Sequence, residues 1–158
     1  MFLGVKVASA HFLGGEWASP SYTYYTTSYY SQVAQARDNW NNNTIFSVIE
    51  TSPSQADVAI THADYGAVWD GYSEPGPDPD SGTYTYGQIR LNDYWLLQYT
   101  HEKRISAIAH EMGHMMGLAH YNNPNDHSIM HSSTNIRYDN WGLTGPAGHD
   151  ISDVQQLY

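Results

Sequence analysis

The spacing of two histidines constrains the fold of this chain more than any other feature of its sequence. His110 and His114 are four positions apart, which places both side chains on one face of an α-helix, one turn from each other. At about 100° per residue, Ile108 and Met112 fall on the opposite side. The sequence therefore predicts a helix over residues 102–116, with one face buried in the core and the other presenting both histidines.

A glycine and a third histidine follow this helix at fixed offsets. Gly117 can adopt the left-handed conformation that ends a helix, so that the chain turns back and brings His120 beside the first two histidines. Three imidazoles are ligands for one zinc ion and leave a fourth position open for water. Glu111, next to His110, is then placed as the general base for that zinc-activated water. If only H-E-x-x-H were present, the alternative would be a helix whose histidines are merely solvated. Gly117 and His120 at their fixed offsets argue against that alternative.

Composition limits the class of protein. The 158 residues, 41% of them hydrophobic, fit one domain over 1–158, in which residues 1–19 are an N-terminal segment of uncertain role. A formal charge of −10 excludes nucleic acid and anionic membranes as partners. The chain has no cysteine and no apolar run of the roughly 20 residues that a membrane span needs. Any metal must therefore be bound by His, Asp or Glu.

Apolar periodicity divides the remaining chain into short strands and helices. The apolar stripe ending at Trp40 predicts a helix with Ser28 as its N-cap, and a last helix is predicted to begin at Asp150. Gly, Pro, Asp and Ser dominate residues 69–82, which predicts a long surface loop. Aromatic and β-branched residues predict strands over 22–27, 45–49, 57–61 and 84–91. Residues 1–10 are predicted to be folded, because Lys6 interrupts an apolar stretch too short for a signal core.

The run from His110 to His120 has the form H-E-x-x-H-x-x-G-x-x-H and resembles the zinc motif of the metzincin clan. Met130, in Ser128-Ile129-Met130, stands where these enzymes have their Met-turn. Within the clan, the closing stretch 150–158 and the segments 56–60 and 87–92 are similar to matrixins. The resemblance implies an α+β fold with a twisted mixed sheet of about five strands and three helices, the zinc helix and C-terminal helix included.

The same resemblance implies a secreted, monomeric zinc endopeptidase with His110, His114 and His120 as ligands of one catalytic zinc. Met130 would form a hydrophobic floor below the imidazoles. A polypeptide substrate would lie extended along a strand at the edge of the cleft, which the sequence assigns to residues 84–91. A catalytically silent zinc- or glycan-binding module and a narrow-specificity peptidase are the alternatives.

Departures from the family pattern leave the subfamily open. Tyr121 follows the third histidine, and Ser132 stands where some metzincins have a tyrosine ligand. His62 and Asp64 match only part of the matrixin structural zinc site, so a second zinc is not expected. A candidate calcium site in the predicted loop is formed by Glu74, Asp78 and Asp80. Surface or packing roles are predicted for His11, His62, His101, His127, His131 and His149.

Overall fold

This computed structural model describes residues 11–158, which contain a five-stranded sheet with helices packed against it. In chain order the strands are β1 (Glu16–Trp17), β2 (Ser21–Thr26), β3 (Ser47–Glu50), β4 (Val58–Ala63), β5 (Gly71–Gly76), β6 (Thr83–Tyr84) and β7 (Tyr86–Asn92). The helices are α1 (Tyr30–Asn43), α2 (Asp93–Leu96), α3 (His101–Met115) and α4 (Gly148–Leu157), and a π-helical segment covers Asn135–Asn140. The prediction that residues 1–10 are folded lies outside the described residues.

The large sheet has the strand order β3-β2-β4-β7-β5. Strand β2 is parallel to β3 and β4, β4 is parallel to β7, and β5 is antiparallel to β7. Strands β1 and β6 form a separate parallel pair. The predicted α+β fold with a mixed sheet of about five strands is confirmed.

The core lies between the sheet and helices α1 and α3. Alternate residues of the central strands are buried because successive side chains of a strand point to opposite faces. Helix α1 packs against α3, and the buried indole of Trp40 donates a hydrogen bond of 2.9 Å to the carbonyl of Ala109. The buried strand residues are Tyr22 and Tyr24 of β2, Val58 and Ile60 of β4, and Ile89 and Leu91 of β7.

The start of α1 differs from its prediction. The N-cap is Tyr29, in the left-handed region at φ 54°, and no side chain caps the helix. Ser28 instead closes a local turn, in which its carbonyl accepts a 2.7 Å hydrogen bond from the hydroxyl of Thr26. The prediction of Ser28 as N-cap was wrong, because the left-handed turn at Tyr29 separates that side chain from the first helical amides.

Strand β5 corrects two predictions at once. It lies inside residues 69–82, which were predicted to be a surface loop, and it forms the edge of the sheet next to α3. Its composition hid it, since an edge strand tolerates a residue such as Pro75 and obtains its order from backbone pairing. Strand β7 has β4 on one side and β5 on the other. Assigning the cleft edge to residues 84–91 was therefore wrong.

Candidate metal centre and cleft

Helix α3 presents two of the three predicted histidines to one point. The Nδ1 atom of His110 lies 2.8 Å from the carbonyl of Ile129, and the Nδ1 atom of His114 lies 2.8 Å from the carbonyl of Leu118. These backbone contacts turn both Nε2 atoms towards each other, 3.1 Å apart. A carbonyl at Nδ1 also fixes the tautomer that leaves Nε2 as the ligand atom.

Gly117 brings in the third histidine, as predicted from its position. Its φ of 97° is in the left-handed region, and a Cβ there would lie 2.7 Å from the carbonyl oxygen of Gly15. The chain therefore reverses after α3 and returns His120 to the other imidazoles. The ring centroid of His120 lies 5.2 Å from that of His110 and 4.8 Å from that of His114.

The three imidazoles fit a zinc ion. One ligand atom from each lies within 4.8 Å of the others, a separation that zinc–nitrogen bonds of about 2.0–2.1 Å can close with small side-chain movements. Burial lowers the pKa of His110 well below its ordinary value, and burial lowers the pKa of His114 to about 4. Burial and the positive charge of Arg137 lower the pKa of His120 as well. The histidines are therefore neutral at physiological pH, which is the state that binds metal.

Glu111 is buried beside the three histidines, at the edge of the same cleft. Burial raises its pKa to about 8, while a hydrogen bond from Ser73 acts in the opposite direction. The Ser73 hydroxyl donates to Glu111 Oε2 at 2.7 Å and lies 2.9 Å from the Glu111 carbonyl. Gly71 is packed so closely that a Cβ there would lie 2.5 Å from Glu111 Cγ. Strand β5 thus holds the carboxyl group in place.

The Met-turn, Ser128–Met130, packs under the zinc helix. Met130 is buried, and a Cβ on Gly113 of α3 would collide with its sulfur atom. Asp150, in the first turn of α4, accepts hydrogen bonds from the Ser128 hydroxyl and, at 2.9 Å, from the Ile129 amide. The closing helix therefore anchors the turn that supports the histidines.

A cleft of about 870 Å³ passes over this centre. Residues 71–73 of β5 and residues 132–135 after the Met-turn line it, and the Thr134 hydroxyl donates a hydrogen bond to Asp70, directly before β5. Arg137 is buried and donates hydrogen bonds to the carbonyl of His131 and the hydroxyl of Thr134. The three histidines and Glu111 line the same cleft.

Some residues of the cleft were not predicted from the sequence. Ser73 and Gly71 were missed because their strand was interpreted as a loop. Arg137 follows the motif without a spacing that marks it, and its role depends on the fold. The anchoring role of Asp150 was also missed, although its position at the start of the closing helix was the signal that could have indicated it.

The candidate calcium residues are not brought together. The described residues contain two groups of three or more potential metal ligands, and Glu74, Asp78 and Asp80 belong to neither. Asp78 instead accepts local hydrogen bonds from the Asp80 amide, at 2.9 Å, and the Ser81 hydroxyl, at 2.7 Å. Calcium at this loop is unsupported.

Three histidines at the end of a helix, a supporting methionine turn and a mixed sheet define a metallopeptidase-like domain. The chain belongs to the matrixin family, whose sequence profile matches residues 18–158. The predicted resemblance to matrixins is thereby confirmed. Zinc is the metal that this family implies, and the three histidines fit it.

The fold is also found in a solved structure described as the GM1 bound form of the ECX AB5 holotoxin. The two chains superpose with a TM-score of 0.62, over 88% of this chain and 80% of that one, at 17% sequence identity. Such low identity supports a common fold alone. Among curated proteins, no sequence matches this chain.

Proposed function

We propose that this chain is a zinc-dependent endopeptidase, with His110, His114 and His120 as metal ligands and Glu111 as general base. The observation that carries the proposal is the convergence of three neutral imidazoles beside a buried carboxyl group in an open cleft. A structural zinc site uses four protein ligands, whereas three ligands and a cleft leave room for water and substrate.

Zinc bound here would supply a Lewis acid that polarises the scissile carbonyl and makes water a better nucleophile near neutral pH. Glu111 would take the proton from the attacking water and pass it to the leaving amine. Its raised pKa suits a group that must both accept and donate a proton near neutrality. The Ser73 hydrogen bond orients the carboxyl oxygen throughout.

Substrate would bind extended along β5, the strand at the cleft edge. The Asn92 amide donates to the Asp70 carbonyl at 2.9 Å, so that Asp70 and every second residue after it hydrogen-bond to β7 in the antiparallel ladder. Backbone groups of alternate residues point to opposite sides of an antiparallel strand. The backbone amide and carbonyl of Tyr72 therefore point to β7. The backbone amides and carbonyls of Gly71 and Ser73 point to the cleft. A peptide paired there gains affinity from backbone hydrogen bonds with little dependence on sequence.

We further propose that the protein works outside the cell as a monomer. Matrixin membership and a chain rich in Tyr, Asn, Ser and Thr support this location. Among the described helices, none combines the length and apolar character that a membrane span requires. A polypeptide is the proposed partner, since the acidic charge of the chain disfavours nucleic acid and anionic lipid.

A silent binding module is the second candidate function, and one surface feature favours it. Tyr65, Trp69 and Tyr72 form a row of rings with centroids 4.7 and 5.7 Å apart, and both tyrosines are exposed. Flat aromatic faces with polar tips suit sugar or peptide contacts. This alternative gives no role to the buried Glu111, whereas the peptidase does.

The test is zinc-dependent hydrolysis of a mixed peptide library by the purified chain. We expect cleavage products from the zinc-loaded protein, their loss after chelation and their return when zinc is added back. A narrow-specificity peptidase would cleave only a few members of the library. A folded, zinc-loaded chain that cleaves none of them and binds a glycan array would establish the silent module instead.

A further inference from the structure

A second group of metal-ligating side chains lies outside the cleft. His11, His149 and Asp153 each offer one ligand atom, and these atoms lie within 4.8 Å of one another. Asp153 Oδ2 is 3.1 Å from His149 Nε2 and 3.7 Å from His11 Nδ1. Tetrahedral zinc with bonds of about 2.0–2.1 Å separates its ligand atoms by roughly 3.3 Å, which lies between these two distances. Surface or packing roles were predicted for both histidines from the sequence.

Two rigid parts of the fold bring these residues together. His149 and Asp153 are one turn apart on the same face of α4. The backbone of residues 11–13 is fixed to the turn after α3, because the Ala119 amide donates to the His11 carbonyl and the Leu13 amide to the Gly117 carbonyl, each at 2.8 Å. The three side chains therefore meet without any loop having to close.

The ring of His149 is oriented from the side opposite Asp153. Its Nδ1 atom lies 3.1 Å from Asp126 Oδ2, the carboxylate–imidazole contact that accompanies metal-bound histidines. The ring of Tyr121 stacks on it at 3.7 Å and 7°, and the Tyr121 hydroxyl donates to the same Asp126 oxygen at 3.1 Å. These contacts direct Nε2 of His149 towards the centre of the cluster.

The Nε2 atom of His149 is the strongest indication that this cluster binds a ligand. Nε2 of His149 is buried and forms no hydrogen bond within the described residues, although Asp153 Oδ2 is 3.1 Å away. A buried polar atom without a hydrogen bond costs free energy, and a metal ion would satisfy it.

We propose that His11, His149 and Asp153 bind a second zinc ion, which clamps residues 11–13 to the closing helix α4. Two imidazoles and one carboxylate suit zinc better than calcium or magnesium, which prefer all-oxygen ligands. With three protein ligands, the fourth position of this zinc would be taken by water, and the ion would link two parts of the chain outside the cleft. It joins the segment before β1 to the helix whose Asp150 anchors the Met-turn, and it does not depend on peptidase activity.

The experiment measures zinc per chain by elemental analysis, after the full chain has been stripped with a chelator, reloaded with zinc and dialysed. We expect Asp153→Asn and His11→Gln each to bind one zinc fewer than wild type, whatever the wild-type stoichiometry. His62→Asn is the matched control, since His62 also has a carboxylate partner, Asp93 at 2.9 Å, but belongs to no group of three ligands. It should keep the wild-type zinc content.

A second measurement keeps the proposal independent of folding defects. Added zinc should raise the melting temperature of Asp153→Asn less than that of wild type and of His62→Asn, because metal bound to the native state stabilises it. His11→Gln changes a partly exposed residue and is the variant least able to disturb the core. Equal zinc content in wild type, Asp153→Asn and His11→Gln would overturn the proposal.

Discussion

At the residue scale, the position of one carboxyl group decides what the metal centre can do. Glu111 is held by a hydrogen bond from Ser73 and by the close approach of the Gly71 backbone. Both contacts come from β5, so the proposed general base and the proposed substrate-binding strand share one set of residues. A change in the strand that never touches the metal should therefore alter catalysis.

Gly71→Ala tests this dependence. The added Cβ would lie 2.5 Å from Glu111 Cγ, whereas carbon atoms in contact are about 3.5–4.0 Å apart, so the carboxyl group must move by about 1 Å. A displacement of that size can cost about 10²-fold in rate. We expect turnover of a model peptide to fall by that order while the zinc content of the catalytic site is unchanged.

The matched control is Gly148→Ala, at the start of α4, where a Cβ would meet no atom within 4 Å. It should leave turnover within about twofold of wild type. Wild-type turnover in a folded, zinc-loaded Gly71→Ala variant would show that the packing of Gly71 does not position Glu111.

Protonation of the same residue gives a stability prediction. Burial raises the pKa of Glu111 from 4.5 to about 8, so that between these values the native state binds a proton that the unfolded state does not. Stability from this group is present below pH 4.5 and is lost as the pH rises towards 8. In the metal-free chain, Glu111→Gln should therefore become more stable relative to wild type as the pH rises over this range.

Denaturant unfolding of both metal-free proteins at several pH values measures this difference, which should change by about 1.4 kcal/mol for each pH unit between the two pKa values. Burial of His114 acts with the opposite sign in both proteins and cancels in the comparison. A difference that is independent of pH would show that Glu111 titrates near its ordinary value.

At the element scale, the structure separates what periodicity can predict from what it cannot. Helix α3 was predicted because its apolar face and its histidine face repeat with the helical period. Strand β5 was missed because edge strands depend on backbone pairing, to which side-chain composition gives little signal. The substrate-binding edge was consequently assigned to β7, which the sheet order places in the interior.

The proposed pairing of substrate with β5 predicts an alternating sensitivity to N-methylation. An antiparallel or parallel ladder uses the amide of every second substrate residue on the side facing β5. Peptide substrates methylated one amide at a time should therefore lose turnover at alternate positions around the scissile bond and retain it at the positions between. Equal losses at every position, or at none, would contradict backbone pairing along Gly71 to Ser73.

At the scale of the whole molecule, the first described residues and the closing helix both contact the elements that carry the three histidines. Helix α4 anchors the Met-turn through Asp150, and the segment containing His11 is fixed to the turn after Gly117. The cluster of His11, His149 and Asp153 could not be predicted from spacing, because its members come from opposite ends of the chain. The meeting of His110, His114 and His120 could be predicted, because all three come from one helix and the turn after it.

The most direct test of the central claim compares two variants at the catalytic centre. Glu111→Ala should keep the fold and the zinc but lose at least roughly 10²-fold in peptide turnover, because it removes the general base and no ligand. His120→Ala should instead bind zinc more weakly and melt at a lower temperature, because it removes a metal ligand. Zinc content, melting temperature and turnover of both variants are measured beside wild type. Full peptidase activity in zinc-loaded Glu111→Ala would contradict the account.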